Sequence, residues 1–273
     1  MPVISIVGAT GQQGSAVLRS ILSDGTFTPR ALTHVQVTNF WDPSVYPGTP
    51  NGEREVTQGK NLVDAAEEVG IKFFLWSGTA SSKVLSGGKY SDVYHIDTKA
   101  AIWEYLKGSG VPCAAVEAPY FAENLWVHGL LAKNADGTGY TMSAPYDPSS
   151  TQSFLWVSHD LGPAALTVLK NVNDPERKGR DVLGKAFPIV SFIKMYPELA
   201  KRISHVIGKE VVFTPIETCG VHEFDQMYRY QSEFGMYRDL PIPNPELVAL
   251  GGFKHRVGTL DECIQAEIVP KFK

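Results

Sequence analysis

The sequence predicts an α/β protein: a Rossmann-like, doubly wound, mostly parallel sheet joined to a smaller C-terminal α+β cap domain. Three observations predict it. A short apolar run, Ile4-Ser5-Ile6-Val7, ends in a glycine-spaced turn, Gly8-Ala9-Thr10-Gly11-Gln12-Gln13-Gly14. Val17, Leu18, Ile21 and Leu22 follow at helical spacing, and Asp24-Gly25 supplies a stop. Strand-like and helix-like segments then alternate, as βαβ units do.

The glycine turn is the chemical centre of this reading. Glycines at 8, 11 and 14 let the chain turn sharply after a strand, bring backbone amides close to a pyrophosphate, and seat the next helix against the sheet. With Thr10, Gln12 and Gln13 they form the candidate dinucleotide loop. Phe27 to Thr33 and Val35 to Trp41 both read as extended, with only His34 between them. Neighbouring parallel strands need a crossover of about a dozen residues or more. Arg30 to Phe40 is therefore expected to be one strand filling one slot of the sheet. Asp42 to Gly52, with three prolines and two glycines, is a loop.

A helix is expected from Glu53, with Val56, Leu62, Val63, Ala66 and Val69 on its apolar face and Gly70 at its end. Phe73 to Gly78 is a nearly continuous apolar run, the mark of a parallel strand covered on both faces, and it leaves Ser77 at its carboxyl end. Ala80 to Lys89, rich in Ser and Gly, is expected to be mobile. Asp92 to Lys107 is a second helix closed by Gly108-Ser109-Gly110, and Ala114-Ala115-Val116 opens the next strand.

Beyond Asn124 the rhythm changes. A hairpin turn is expected at Asp136 to Gly139, a polar loop from Pro145 to Ser153, and a helix from Leu161 to Lys170 capped by Ser158 or Asp160. Asn171 to Lys178 reads as a charged turn, Ile189 to Ile207 has helical spacing, and Glu210 to Pro215 reads as a strand. Helical pieces flank Pro241-Ile242-Pro243-Asn244-Pro245. The expected division is residues 1–160 for a nucleotide-binding domain and 161–273 for the cap that completes the cleft. Phe224, Tyr228, Tyr230, Phe234 and Tyr237 form an aromatic stripe. It reads first as core, because large apolar side chains gain most from burial, and second as a pocket lining.

A net charge of -4 offers no basic footprint for nucleic acid. Cys113, Cys219 and Cys263 are far apart and read as reduced thiols of an intracellular protein, not as a disulfide framework. No run approaches the ~20 apolar residues of a membrane span, and the N-terminus lacks a basic region before its apolar run. The expected setting is the cytoplasm, with the nucleus as a second compartment and no membrane. Seven histidines without H-E-x-x-H or metal-ligand spacing predict no metal site. Ser77 lacks the flanking glycines of a nucleophile elbow.

The glycine turn belongs to an ordered set of motifs. The others are Val37-Thr38-Asn39-Phe40-Trp41, Gln58-Gly59-Lys60, Trp76-Ser77-Gly78, His95-Ile96-Asp97-Thr98-Lys99, Pro119-Tyr120-Phe121 with Glu123-Asn124-Leu125, and Asp160-Leu161-Gly162-Pro163. Over most of the chain this set resembles the NmrA-like family of atypical short-chain dehydrogenases, which includes redox sensors and fungal regulators. The resemblance implies NADP(H) as cofactor, with its pyrophosphate on the glycine loop. It implies Thr38, Asn39 and Phe40 at the nucleotide, Ser77 beside the cofactor, and Lys99 at the nicotinamide ribose. It also places Phe121, Ala122, Glu123 and Asn124 along the nicotinamide half. The function implied is an NADP(H)-dependent redox sensor whose occupancy a regulatory protein partner reads. The alternative is an NAD(P)H-dependent oxidoreductase of a small carbonyl, quinone or unsaturated metabolite.

The chain departs from the family in two places. Short-chain dehydrogenases carry Tyr-x-x-x-Lys, in which the lysine lowers the pKa of a proton-donating tyrosine; here His95 stands at the tyrosine's position. Histidine titrates near working pH, which leaves two readings, a proton donor or a polar residue near the site. Tyr94 is one residue out of register and on a helix points about 100° away. His95 and Lys99 are thus the catalytic candidates, for weak or absent dehydrogenase chemistry. The second departure is a gap: relatives place roughly forty more residues between the segments matching Ala31-Leu32-Thr33 and Val37-Thr38, more than a βα repeat of ~30 residues. Thr33 and His34 stand about 20 residues past Gly14, where a Rossmann protein carries its ribose-binding acid. The sheet edge is expected to be shortened, and unpaired backbone groups there invite a homodimer.

Overall fold

The computed structural model describes residues 1–32, 52–172, 179, 181–251, 253 and 255–272. Strand β1 (Val3–Val7) leads through helix α1 (Gln12–Asp24) to β2 (Thr28–Leu32), which pairs with it in parallel. Side chains alternate across a strand, and β1 sends Ile4 and Ile6 into a cluster with Ile21 and Phe27 while Val3 and Val7 stay exposed. Only the start of the expected Arg30 to Phe40 strand is seen, as Arg30 to Leu32 in β2. Its remainder, the strand reading of Val35 to Trp41 and all but the end of the loop before Glu53 lie outside the described residues.

Helix α2 (Glu53–Glu68), β3 (Phe74–Gly78), the short α3 (Ser82–Leu85), α4 (Tyr94–Gly108) and β4 (Cys113–Glu117) follow. In the second sheet β4 lies between β3 and a late strand, β9 (Ala186–Pro188), and all three are parallel. Every residue of β4 is buried. Cys113 and Ala115 pack with Val63 of α2 and Trp103 and Leu106 of α4. Ala114 and Val116 face the opposite way, toward Ala164 and Val168 of α6 (Gly162–Val172). Helices thus cover both faces, as expected for a doubly wound sheet.

Within Ala80 to Lys89, the stretch expected to be mobile, a short helix forms and is tied to α4. Ser81 caps α3 by accepting from the Val84 amide at 3.1 Å. Ser81 Oγ, Ser82 Oγ and the Lys83 amide all donate to Asp97 of α4, at 2.7, 2.9 and 3.1 Å. Serines that suggest flexibility in the sequence are also local hydrogen-bond donors, and here a single carboxylate collects them.

Among the described residues the rest of the chain holds two mixed sheets. One has the order β10 (Phe192–Met195), β8 (Thr151–Leu155), β5 (Tyr120–Phe121); the other has β11 (Glu210–Pro215), β7 (Gly139–Ala144), β6 (Leu131–Lys133). The antiparallel β6 and β7 form the expected hairpin. Helices α5 (Asn124–Val127), α7 (Tyr196–Ile207), α8 (His222–Glu233), α9 (Pro245–Ala249), α10 (Leu260–Cys263) and α11 (Val269–Phe272) complete it.

Three further expectations are corrected. The polar loop to Ser153 ends earlier, because Gln152 and Ser153 lie buried inside β8. The helix expected from Leu161 begins at Gly162 after a π-helical turn, Val157–Leu161. Neither Ser158 nor Asp160 caps it: Ser158 Oγ donates to Glu267 at 2.9 Å, and the Asp160 carboxylate accepts from other elements. The helical spacing from Ile189 onward divides into β10 and α7, the latter with Pro197 in its first turn.

The aromatic stripe is mostly core. Tyr228 and Tyr230 are buried with Tyr120, Tyr146, Phe154 and Tyr196, while Phe224 and Tyr237 pack against that cluster and Phe234 is exposed. Among the described residues no helix is long and apolar enough to cross a membrane.

Candidate functional site

The glycine turn has the geometry its spacing requires. Gly8 adopts φ 68°, in the left-handed region that favours glycine. Its amide donates to the Leu32 carbonyl at 3.1 Å, and its own carbonyl accepts from the Gly11 amide at 2.9 Å. A Cβ on Gly14 would stand 2.2 Å from the Gly8 carbonyl oxygen, so only glycine lets α1 approach this closely. Gly11 precedes α1 with no side-chain cap, and no acidic residue occupies the first turn. Gly8, Thr10, Gly11 and Gln12 are exposed, and Gln13 and Gly14 half-buried. Uncapped amides at a helix N-terminus, with the positive end of its dipole, suit a phosphate group. The turn therefore fits the pyrophosphate of a dinucleotide.

Ser77 donates from its hydroxyl to Gln13 Oε1, tying the carboxyl end of β3 to the first turn of α1. One residue earlier, the Trp76 indole donates to the Lys99 carbonyl at 3.2 Å. The loop, Ser77 and Lys99 are thereby linked through hydrogen bonds on neighbouring elements. The Lys99 ammonium itself donates to Glu55 Oε1 at 2.8 Å and to the His95 carbonyl at 3.0 Å. Thr98 donates to the same Glu55 carboxylate and to the Tyr94 carbonyl.

His95 is held by α8. Glu223 Oε1 accepts from the His95 amide at 2.7 Å and lies 2.5 Å from Nδ1. Nε2 faces Met227 Sδ at 3.3 Å, and Phe224 stands edge-on with ring centroids 5.7 Å apart. Glu223 and Met227 are buried. A carboxylate at Nδ1 fixes which ring nitrogen carries the proton.

A second buried carboxyl sits at the carboxyl end of β4. The Tyr237 hydroxyl donates to Glu117 Oε2 at 2.8 Å and accepts from the Ala80 amide at 2.9 Å. Burial pushes the Glu117 carboxyl up, against the hydrogen bond from Tyr237 and the more distant Lys107 charge. Tyr237 is pushed well above the ordinary tyrosine range, by burial first and then by Glu117. Its φ of 56° is uncommon outside glycine, and its hydroxyl joins the carboxyl end of β4 to Ala80 just beyond β3.

Phe121 and Asn124 are half-buried. Ala122 is fully buried, its amide donating to the Leu155 carbonyl at 2.9 Å. The buried Glu123 carboxylate accepts from the Val157 and Ser158 amides at 3.2 and 2.9 Å, supporting the π-helical turn. Thr38, Asn39 and Phe40 lie outside the described residues.

The structure also brings together groups that sequence reasoning missed. Glu223 meets His95 across 128 positions and Tyr237 meets Glu117 across 120, with no local motif to announce either pairing. His159, Asp160 and His255 converge as well, with ligand-capable atoms within 4.8 Å of one another. Spacing in the sequence predicts no metal site; His255 joins this group only across 95 positions.

Comparison with known proteins gives a consistent result. The model of the NmrA-like family matches residues 43–264. The chain is 25% identical over 268 residues to the NmrA-like family domain-containing oxidoreductase ptmS of Penicillium ochrochloron, covering 78% of this chain and 76% of that protein. It is 23% identical over 282 residues to the nitrogen metabolite repression protein nmrA of Emericella nidulans, covering 89% and 78%. The solved structure of NmrA, a negative transcriptional regulator, in complex with NADP superposes with a TM-score of 0.70 at 18% identity, covering 98% of this chain and 95% of that one. At that identity the superposition speaks for the fold.

Proposed function

This chain belongs to the NmrA-like family, and from that premise we propose that it binds NADP(H) and serves as a redox sensor or regulator with little or no dehydrogenase turnover. The NADP complex of the NmrA neighbour and the close-approach cradle at Gly8 and Gly14 support the cofactor. Backbone amides of the glycine turn and first turn of α1 would hold the pyrophosphate, with Ser77 and Lys99 beside it. A nicotinamide ring supplies hydride chemistry when bound.

One observation carries the choice of sensor over enzyme. The residue at the proton-donating position, His95, has Nδ1 against Glu223 at 2.5 Å and Nε2 against Met227 at 3.3 Å. Lys99, which in a dehydrogenase lowers the donor's pKa, is turned to Glu55 at 2.8 Å. His95 is thus engaged with α8, and its neighbour Lys99 with Glu55, instead of forming the tyrosine-lysine pair of a dehydrogenase. The Glu223 contact ties α4 to α8 through side chains and is the latch in this reading. Sensing then requires that reduced and oxidised cofactor differ in affinity for two arrangements of this contact, since equal affinity shifts nothing.

Calorimetric titration with NADPH and NADP+, followed by NADPH consumption across a panel of quinones and ketones, tests this. Saturable binding with a flat consumption trace is the expected result. Binding with rapid turnover would move the assignment to the second reading, a reductase, which the oxidoreductase designation of ptmS favours. No binding of either cofactor form would remove both.

A further inference from the structure

We propose that His159, Asp160 and His255 form a binding site for one divalent transition-metal ion of the zinc type, taken by two imidazole nitrogens and one carboxylate oxygen. His159 Nδ1 and His255 Nε2 each lie 2.7 Å from Asp160 Oδ1. Zinc bonds imidazole nitrogen and carboxylate oxygen at ~2.0–2.2 Å, which sets tetrahedral ligand atoms about 3.3 Å apart. Outward shifts of roughly half an ångström would therefore open the cluster enough to admit the ion.

The ligands are already oriented from behind. Trp156 stacks on the His159 ring at 4.3 Å and 11°, and His255 lies against His159 at 4.7 Å with Phe253 edge-on behind it. Asp160 is completely buried, and its oxygens accept from Ser191 Oγ and from the Gly258 amide at 3.1 and 3.3 Å. Such outer hydrogen bonds orient metal-ligating carboxylates. The imidazoles are 33% and 22% exposed, so an ion has a route in and solvent can supply a fourth ligand.

Two imidazole ligands beside one carboxylate select zinc, copper or nickel over calcium or magnesium.

The competing account is a hydrogen-bonded cluster that takes no ion, and titration separates the two. The full chain, treated with chelator, is titrated with ZnCl2 by calorimetry and with Co2+ followed by visible absorption. One ion per chain and the visible bands of four-coordinate cobalt are expected. Affinity should fall as pH is lowered, because protons compete with the ion for the ring nitrogens. His159→Ala and His255→Ala should each weaken zinc binding about tenfold or more, whereas His222→Ala, on a surface pair with Asp92, should leave it unchanged. His255→Gln retains an N–H donor for Asp160 and is expected to fold normally while losing zinc. Absence of saturable binding at ~100 μM zinc, or affinity unaltered in the His159→Ala/His255→Ala double variant, would overturn the proposal.

Discussion

The β1 end and the β4 end of the α/β region are covered differently. In β4 all five residues are buried, alternating between a helical layer on each face. In β1 only Ile6 is buried; Val3 is 52% exposed and Val7 37%. The difference separates what a phosphate turn requires from what a fold requires. The turn needs a strand end, three glycines and an uncapped helix, all local. Burial on both faces needs layers contributed from elsewhere in the chain, and those gather around β4.

One substitution made on each side tests that contrast most severely. Leu155, fully buried in the cluster that packs on β4, should cost about 2–5 kcal/mol as Leu155→Ala, from lost transfer energy plus the cavity left behind. Leu22, on α1 beside β1, is 61% exposed, and Leu22→Ala should stay within about 0.5 kcal/mol. Urea denaturation of both variants checks this, and equal losses would show that the β1 end is as tightly integrated as the β4 end.

A sharper version stays inside the turn. Gly14→Ala places a methyl 2.2 Å from the Gly8 carbonyl oxygen and 2.9 Å from Ala9 Cα, both backbone atoms that yield only by moving the loop. Overpacking of this kind costs about 1–3 kcal/mol, and NADPH affinity should fall with it. Gly11→Ala meets the same oxygen at an ordinary 3.4 Å with φ at -77°, so it should fold normally. Thermal melts and NADPH titration of the pair measure how much the cradle depends on one close approach.

How much of this was legible in the sequence follows the same division. The glycine turn, the strand entering β4, the α4 register that brings His95 and Lys99 one helical turn apart, and the β6–β7 hairpin all rest on neighbours within a few positions. Gln152 and Ser153 read as loop because polar residues are seldom buried, yet their strand lies between β10 and β5. The Glu223 carboxylate that holds His95, the Tyr237 hydroxyl on Glu117 and the His255 imidazole on Asp160 arrive from 128, 120 and 95 positions away. Periodicity carries no information about such meetings; they are made by packing two halves whose individual patterns are each complete.

The smallest expected effect concerns the buried carboxyl at the well-covered end. Glu117 is 8% exposed, and burial raises its pKa above the ordinary 4.5, against the Tyr237 hydrogen bond and the Lys107 charge. The folded chain therefore binds this proton more tightly than the unfolded chain. Its contribution to stability is fully present below the ordinary glutamate value and is lost as pH rises through the raised folded value. Glu117→Gln keeps an acceptor for Tyr237 but has no proton to lose. The stability difference, variant minus parent, should grow more positive across that interval and then level off. A series of urea denaturations from acid to mildly alkaline pH checks the sign. A difference that stayed constant with pH would mean that Glu117 is as well solvated as the exposed β1 face, and the contrast between the two ends would then not extend to their polar groups.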